Sequence, residues 1–250
     1  MGRALTAHGE DRRAQLLDAA AELFAQRGYD QTRIADIATA AGVAKGLLYW
    51  YFSGKEALLA ELVGDLQWRL RRLQGRALRD VAGALERLYV GALVAAPFVD
   101  EHYHLYVVLH SASRRRPAAS GADTIALHAQ DTARVLAEGQ RGGVVRDAEP
   151  PELLAYGVSA LVNELVRFGK LGVLPGGPTQ VAAVAARACV HLVATQRTDA
   201  EAVVADHPRL AAAAAAALAG SEGPPGRPGA DGPWEPAGPV MGESGGRGEP

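Results

Sequence analysis

The 250-residue chain has a single cysteine, Cys189, and only 6% aromatic residues. One thiol cannot close an internal disulfide or supply a cysteine cluster for zinc, so packing must hold the fold, and a reducing compartment is expected. Long apolar runs are missing too. No stretch reaches the roughly 18 residues that span a bilayer, and no apolar segment of a secretory leader stands at the N-terminus. The chain is therefore expected to be cytoplasmic, with no membrane partner. Charge of one sign is also lacking: the formal net charge of −2 gives no general pull toward polyanions. No Ser/His/Asp set, phosphate-cradling glycine loop or metal-ligand cluster stands out, so no enzyme, no metal and no cofactor are expected.

What is present favours helices. Apolar residues make up 48% of the chain and are mostly Ala, Leu and Val, while no segment alternates with period two. The expected fold class is all-α. Residues 1–10 read as a flexible polar arm. From Asp11 to Arg27, Leu16, Leu17, Ala20, Leu23 and Phe24 recur at helical spacing, and Gly28 follows as a stop. Thr32 is placed to cap the next helix, and Ser53 with Glu56 has the spacing of a capping box that opens a helix to about Leu78. Helices are then expected over 80–95, from Pro97 to about Ala112, and over 122–140, 151–170 and 178–196. These give an N-terminal domain over 11–56 and a helical body over 57–198. Residues 199–219 look like a weak Ala-rich helical segment, because seven consecutive alanines have helix propensity but little to bury. Residues 220–250 contain 10 Gly and 7 Pro and are expected to be disordered.

The stretch Ile34–Lys55 holds two short helices around Gly42, the spacing of a helix-turn-helix. Ile34, Ile37, Ala38 and Ala41 would line one buried face. Gly42 would turn the chain with positive φ, Val43 would plug the corner, and Lys45–Tyr51 would be the helix offered to a major groove. Residues 1–60 carry seven basic and seven acidic side chains, so position rather than total charge has to attract a phosphate backbone.

The segments AAAELFAQRGYDQT, IADIATAAGVAKG and LYWYFSGKEALL together resemble the TetR family of transcriptional regulators. The resemblance implies an N-terminal three-helix reader and a helical ligand-binding and dimerisation domain. It further implies a homodimer on an inverted-repeat operator in double-stranded DNA, and a repressor released by a small-molecule effector. On this chain the DNA-binding positions would be Thr32, Arg33, Lys45, Gly46, Leu47, Tyr49, Trp50, Tyr51 and Lys55. Ala44, Leu47 and Tyr51 depart from the family pattern, at a frequent cap, a small polar position and a frequent histidine. Two rival readings stay open: Tyr49 and Trp50 could pack the small domain's core, and the chain could be a binding module that keeps the fold but has lost DNA recognition.

In the body, Tyr103, Tyr106, Tyr156, Asn163, Arg167 and Phe168 are candidates for a ligand pocket, with ordinary core and surface roles equally open. His102 and His104 lie two apart and point away from each other on a helix, so they and His110 are not expected to share a metal. The arginines at 69, 71, 72, 76 and 79 scatter around their helix and read as a solvated face, and Arg114–Arg116 as an exposed loop. The helices over 151–170 and 178–196 would supply a dimer interface through Leu154, Val158, Leu161, Val162, Leu165, Val181, Val184, Ala185, Ala188, Leu192 and Val193.

Overall fold

The structure is a computed structural model that describes residues 7–107 and 122–220. The helices are α1 (Ala7–Arg27), α2 (Ile34–Ala40), α3 (Lys45–Tyr51), α4 (Lys55–Ala77) and α5 (Ala84–Glu101). A short α6 over 103–107 comes next, then α7 (Ala122–Arg141), α8 (Pro151–Lys170), α9 (Pro178–Val193), α10 (Arg197–Ala205) and α11 (His207–Ala219). Among the described residues there is no strand, only an isolated antiparallel bridge between Val145 and Ala194. No described helix is long and apolar enough to cross a membrane. The expected Arg114–Arg116 loop, His110 and the tail over 221–250 lie outside the described residues.

α5 is the axis of the body. Tyr89, Val90 and Val94 on it are fully buried, and α4, α7, α8, α9 and α11 all pack around it. Sequence reading placed a helix boundary at Pro97, yet α5 runs through it. Proline takes away the N–H that would reach the Leu93 carbonyl. Burial of Leu93, Val94, Ala95, Ala96, Phe98 and Val99 on both sides of the ring outweighs that loss. The helix ends instead at His102, whose ring stacks on Phe98 at 4.4 Å and whose Nδ1 donates to the Phe98 carbonyl at 2.9 Å. Cys189 on α9 is fully buried, and burial pushes its thiol pKa up to about 12.

Two further expectations need correcting. α1 starts at Ala7, so the end of the expected N-terminal arm is helical. The Ala-rich segment is also no weak appendage. Leu210, Ala214 and Ala217 repeat at four and three and bury one face of α11 against α4 and α5. A face of methyl groups allows close approach, and many small dispersion contacts replace the bulk the sequence lacks. Polar contacts fix its ends. Tyr89 and His207 share a hydrogen bond of 2.8 Å, and Arg76 donates to the Gly220 carbonyl at 3.0 Å.

The expected turn at Gly42 is present, with φ +65°. No atom lies within 4 Å of a Cβ built there, so a side chain would meet backbone strain alone. Gly42→Ala is therefore expected to lower stability by about 1–2 kcal/mol, read as a shift of the urea midpoint at constant slope.

Candidate functional site

The N-terminal unit is built on a small core. Leu16, Ala20 and Phe24 of α1, Ile37 and Ala38 of α2, and Leu48 of α3 bury against Phe52 and Leu58, as the helical spacing requires. After Gly42, the Val43 N–H bonds the Ala38 carbonyl at 2.9 Å, which closes the corner between α2 and α3. Arg33 is the residue before α2, and its backbone N–H is held by the Asp36 carboxylate at 3.2 Å. Arg13 of α1 forms a salt bridge with Glu61 of α4 while its guanidinium lies 5.2 Å above the Phe52 ring. That cation is therefore committed to holding α1 on α4.

Two residues expected to reach DNA are placed differently. Thr32 is 1% exposed, and its hydroxyl faces back to the carbonyls of Gly28, at 2.8 Å, and Leu23, at 3.2 Å. It neither caps α2 nor presents its side chain to solvent, because the end of α1 has unpaired carbonyls that a nearby hydroxyl can satisfy. Lys55 donates Nζ–H to the carbonyls of Tyr29, at 2.6 Å, and Thr32, at 3.0 Å, and sits 4.2 Å above the Tyr29 ring. It ties the α1–α2 loop to the start of α4, leaving one of three ammonium hydrogens for another acceptor. The expected capping box is not formed either: Gly54 is the residue before α4, and no side chain caps it.

Most of the other positions are exposed on α3. Leu47, Tyr49 and Trp50 are 38%, 50% and 63% exposed, which removes the reading of Tyr49 and Trp50 as core. Lys45 and Gly46 are exposed at the start of α3, with Lys45 Nζ 5.8 Å from the Tyr49 ring. A Cβ at Gly46 would meet nothing within 4 Å. Tyr51 is half-buried and packs on the core, with Trp50 edge-on to it at 4.6 Å between centroids. Ala44 precedes α3 and supplies no side-chain cap. Ala44→Ser should supply one and raise stability by about 1 kcal/mol, measured by thermal or urea unfolding.

A cavity of about 510 Å³, partly open to solvent, lies between α4, α5, α7 and α8. Leu70, Leu88, Ala92, Ala95, Val99 and Val162 form apolar walls. Of the expected ligand residues, Tyr106, Tyr156 and Asn163 line it, whereas Tyr103, Arg167 and Phe168 do not. Arg167 instead bonds Glu164 at 2.9 Å and lies over the Phe168 ring at 4.4 Å. Burial pushes the Tyr106 phenol up to about 12, so it stays neutral. The α4 residues Gln67, Arg71 and Gln74 also line the cavity, and the sequence reading did not select them. A signal existed, since two glutamines seven apart interrupt the apolar stripe of Val63, Leu66, Leu70 and Leu73. Arg71 forms a two-pronged bond with Asp131 of α7, at 2.6 and 3.2 Å, and Arg87 of α5 meets Glu138 of α7 at 2.6 Å. These pairs brace α7 to α4 and α5. Among the described residues no cluster of three or more His, Cys, Asp or Glu could hold a metal.

The expected dimer residues divide in the same way. Leu154, Val158, Val162, Val181, Ala185 and Val193 are buried within the chain. Val184 and Leu192 of α9, with Leu153 and Tyr156 of α8, are instead exposed.

The family of bacterial regulatory proteins known as the tetR family matches residues 16–62, the span of the helix-turn-helix and its flanking helices. The transcriptional repressor KstR2 of Mycobacterium tuberculosis is 39% identical over 108 residues, 43% of this chain and 53% of that protein. The fatty acid metabolism regulator protein of Bacillus subtilis is 34% identical over 97 residues, 39% of this chain and 46% of the relative. The chain thus spans about half the length of the curated relatives it matches. Solved structures extend the likeness in fold to the body. The fatty acid degradation regulator FadR of Bacillus halodurans has a TM-score of 0.63 at 19% identity, covering 75% of this chain and 97% of that one. A gamma-butyrolactone receptor has a TM-score of 0.58 at 24% identity, covering 82% and 98%. From the motifs of the first three helices, their packing and these matches, residues 16–62 are similar to the N-terminal region of the tetR family of bacterial regulatory proteins, and the body shares the fold of the solved structures.

Proposed function

We propose that the protein is a DNA-binding transcriptional regulator, acting as a homodimeric repressor that a small molecule in the body cavity releases from an inverted-repeat operator. The observation that carries this reading is α3: a helix anchored by Leu48 and Phe52 leaves Leu47, Tyr49 and Trp50 exposed. Large apolar side chains held in water on a rigid element mark a contact surface. Leu47 and Trp50 suit thymine methyls, and Lys45, Arg33 and the Tyr49 hydroxyl suit phosphates.

Leu153, Val184 and Leu192, exposed on α8 and α9, support a second copy as the covering partner. A dimer of that kind presents two α3 helices, which reach successive major grooves when they sit about 34–36 Å apart. An occupant of the cavity touches α4, and α4 begins at the N-terminal unit, so occupancy favours one spacing of the two readers over another. The test is binding of the purified protein to the DNA upstream of its own gene, with salt titration, competitor DNA and sedimentation in parallel. A dimer that selects an inverted repeat supports the reading. Binding no tighter to that DNA than to random duplex ends it.

A further inference from the structure

Gln67 is 8% exposed and lines the cavity, and its Oε1 has no hydrogen-bond partner. Its neighbour along the helix shows the contrast, because Gln74 donates from Nε2 to the Gly91 carbonyl at 3.2 Å. Burying an amide carbonyl without a donor is costly, so an unpaired one beside a cavity calls for a donor that enters from it. Each arginine of the lining already meets a carboxylate of the wall. Arg71 and Arg134 both pair with Asp131, and Arg87 pairs with Glu138. A carboxylate entering the cavity would have to break one of these pairs, and at Gln67 it would face another oxygen.

We propose that the occupant of this cavity is an uncharged, largely apolar alcohol whose hydroxyl donates a hydrogen bond to Gln67 Oε1. This rests on the reading of the cavity as the effector site. The apolar walls take the body of the molecule, and Gln67 fixes one end of it on α4, the helix that continues to the N-terminal unit. The chemistry also sets the discrimination. A buried acceptor left without its donor is penalised more than a missing apolar contact, so the site should separate an alcohol from its methyl ether.

The test titrates the full chain by calorimetry with decan-1-ol, its methyl ether and decanoate at neutral pH. The alcohol is expected to bind about tenfold more tightly than the ether, with decanoate weakest. Gln67→Leu should erase the alcohol's advantage while the ligand-free protein melts at the same or a higher temperature, which shows an intact fold. Gln67→Met, closer in length, repeats the measurement if leucine leaves a gap. Ala95→Leu narrows the cavity and should weaken all three probes. Equal binding of alcohol and ether, or an advantage that survives both Gln67 variants, overturns the role of Gln67 and leaves the cavity reading standing. Binding that ignores Ala95→Leu, or no binding of any probe, overturns the proposal, and the first of these also removes the cavity as the site.

Discussion

Replacing Lys55 with methionine is expected to lower stability by about 3 kcal/mol and to abolish operator binding as a consequence. The two carbonyls that Lys55 holds, at Tyr29 and Thr32, belong to the loop that fixes the angle between α1 and α2. Each charge-assisted bond is worth about 1.5–3 kcal/mol, and partial exposure of this site keeps the total near the lower end. Methionine preserves length and packing over the Tyr29 ring but leaves both oxygens without a donor. Arginine is not expected to rescue it, because its planar fork cannot bring one nitrogen to both oxygens as an ammonium does. Urea unfolding followed by tryptophan fluorescence reads the effect. If stability is unchanged and DNA affinity alone falls, Lys55 acts on phosphate and not on the loop.

The opposite pattern is expected for Leu47→Ala combined with Trp50→Ala. Neither side chain belongs to the core, so stability should fall by no more than about 1 kcal/mol. Each groove contact is worth about 1–3 kcal/mol, so operator affinity should fall about a hundredfold or more. Because neither side chain carries a charge, the slope of affinity against salt should not change. Deoxyuridine in place of thymidine inside the operator removes only methyl groups and should reproduce part of the loss with the parent protein. An affinity that survives the double substitution would place base reading outside α3.

The N-terminal unit was legible because its signals are local. Apolar spacing in Asp11–Arg27, a glycine at the one position of the corner that needs positive φ, and short helices at fixed separation all follow from the backbone. What failed there was the choice between equivalent polar roles. A threonine hydroxyl can cap forward or satisfy carbonyls behind it, and a lysine can meet a phosphate or a backbone oxygen; only the path of the loop decides. In the body, helix boundaries were close, but the cavity was only half legible. Tyr106, Tyr156 and Asn163 line it, while Arg167 and Phe168 lie elsewhere, because the direction a helical residue faces depends on which neighbour the helix packs against. Pro97 and the alanines of α11 were misread for one reason. Local propensity argued against a continuous or stable helix, and tertiary burial overrode it.

The lone thiol of Cys189 turns the body into its own clock. It has no exposure, and its raised pKa leaves scarcely any thiolate at neutral pH, so a thiol reagent can modify it only when α9 opens away from the helices packed on it. Under conditions where reclosing outpaces reaction, the labelling rate measures the free energy of that opening. Parting two copies along the outer face of α8 and α9 would leave the thiol covered by its own chain. Labelling would therefore separate unfolding from dissociation of the proposed dimer in the unaltered protein, with no reporter group added.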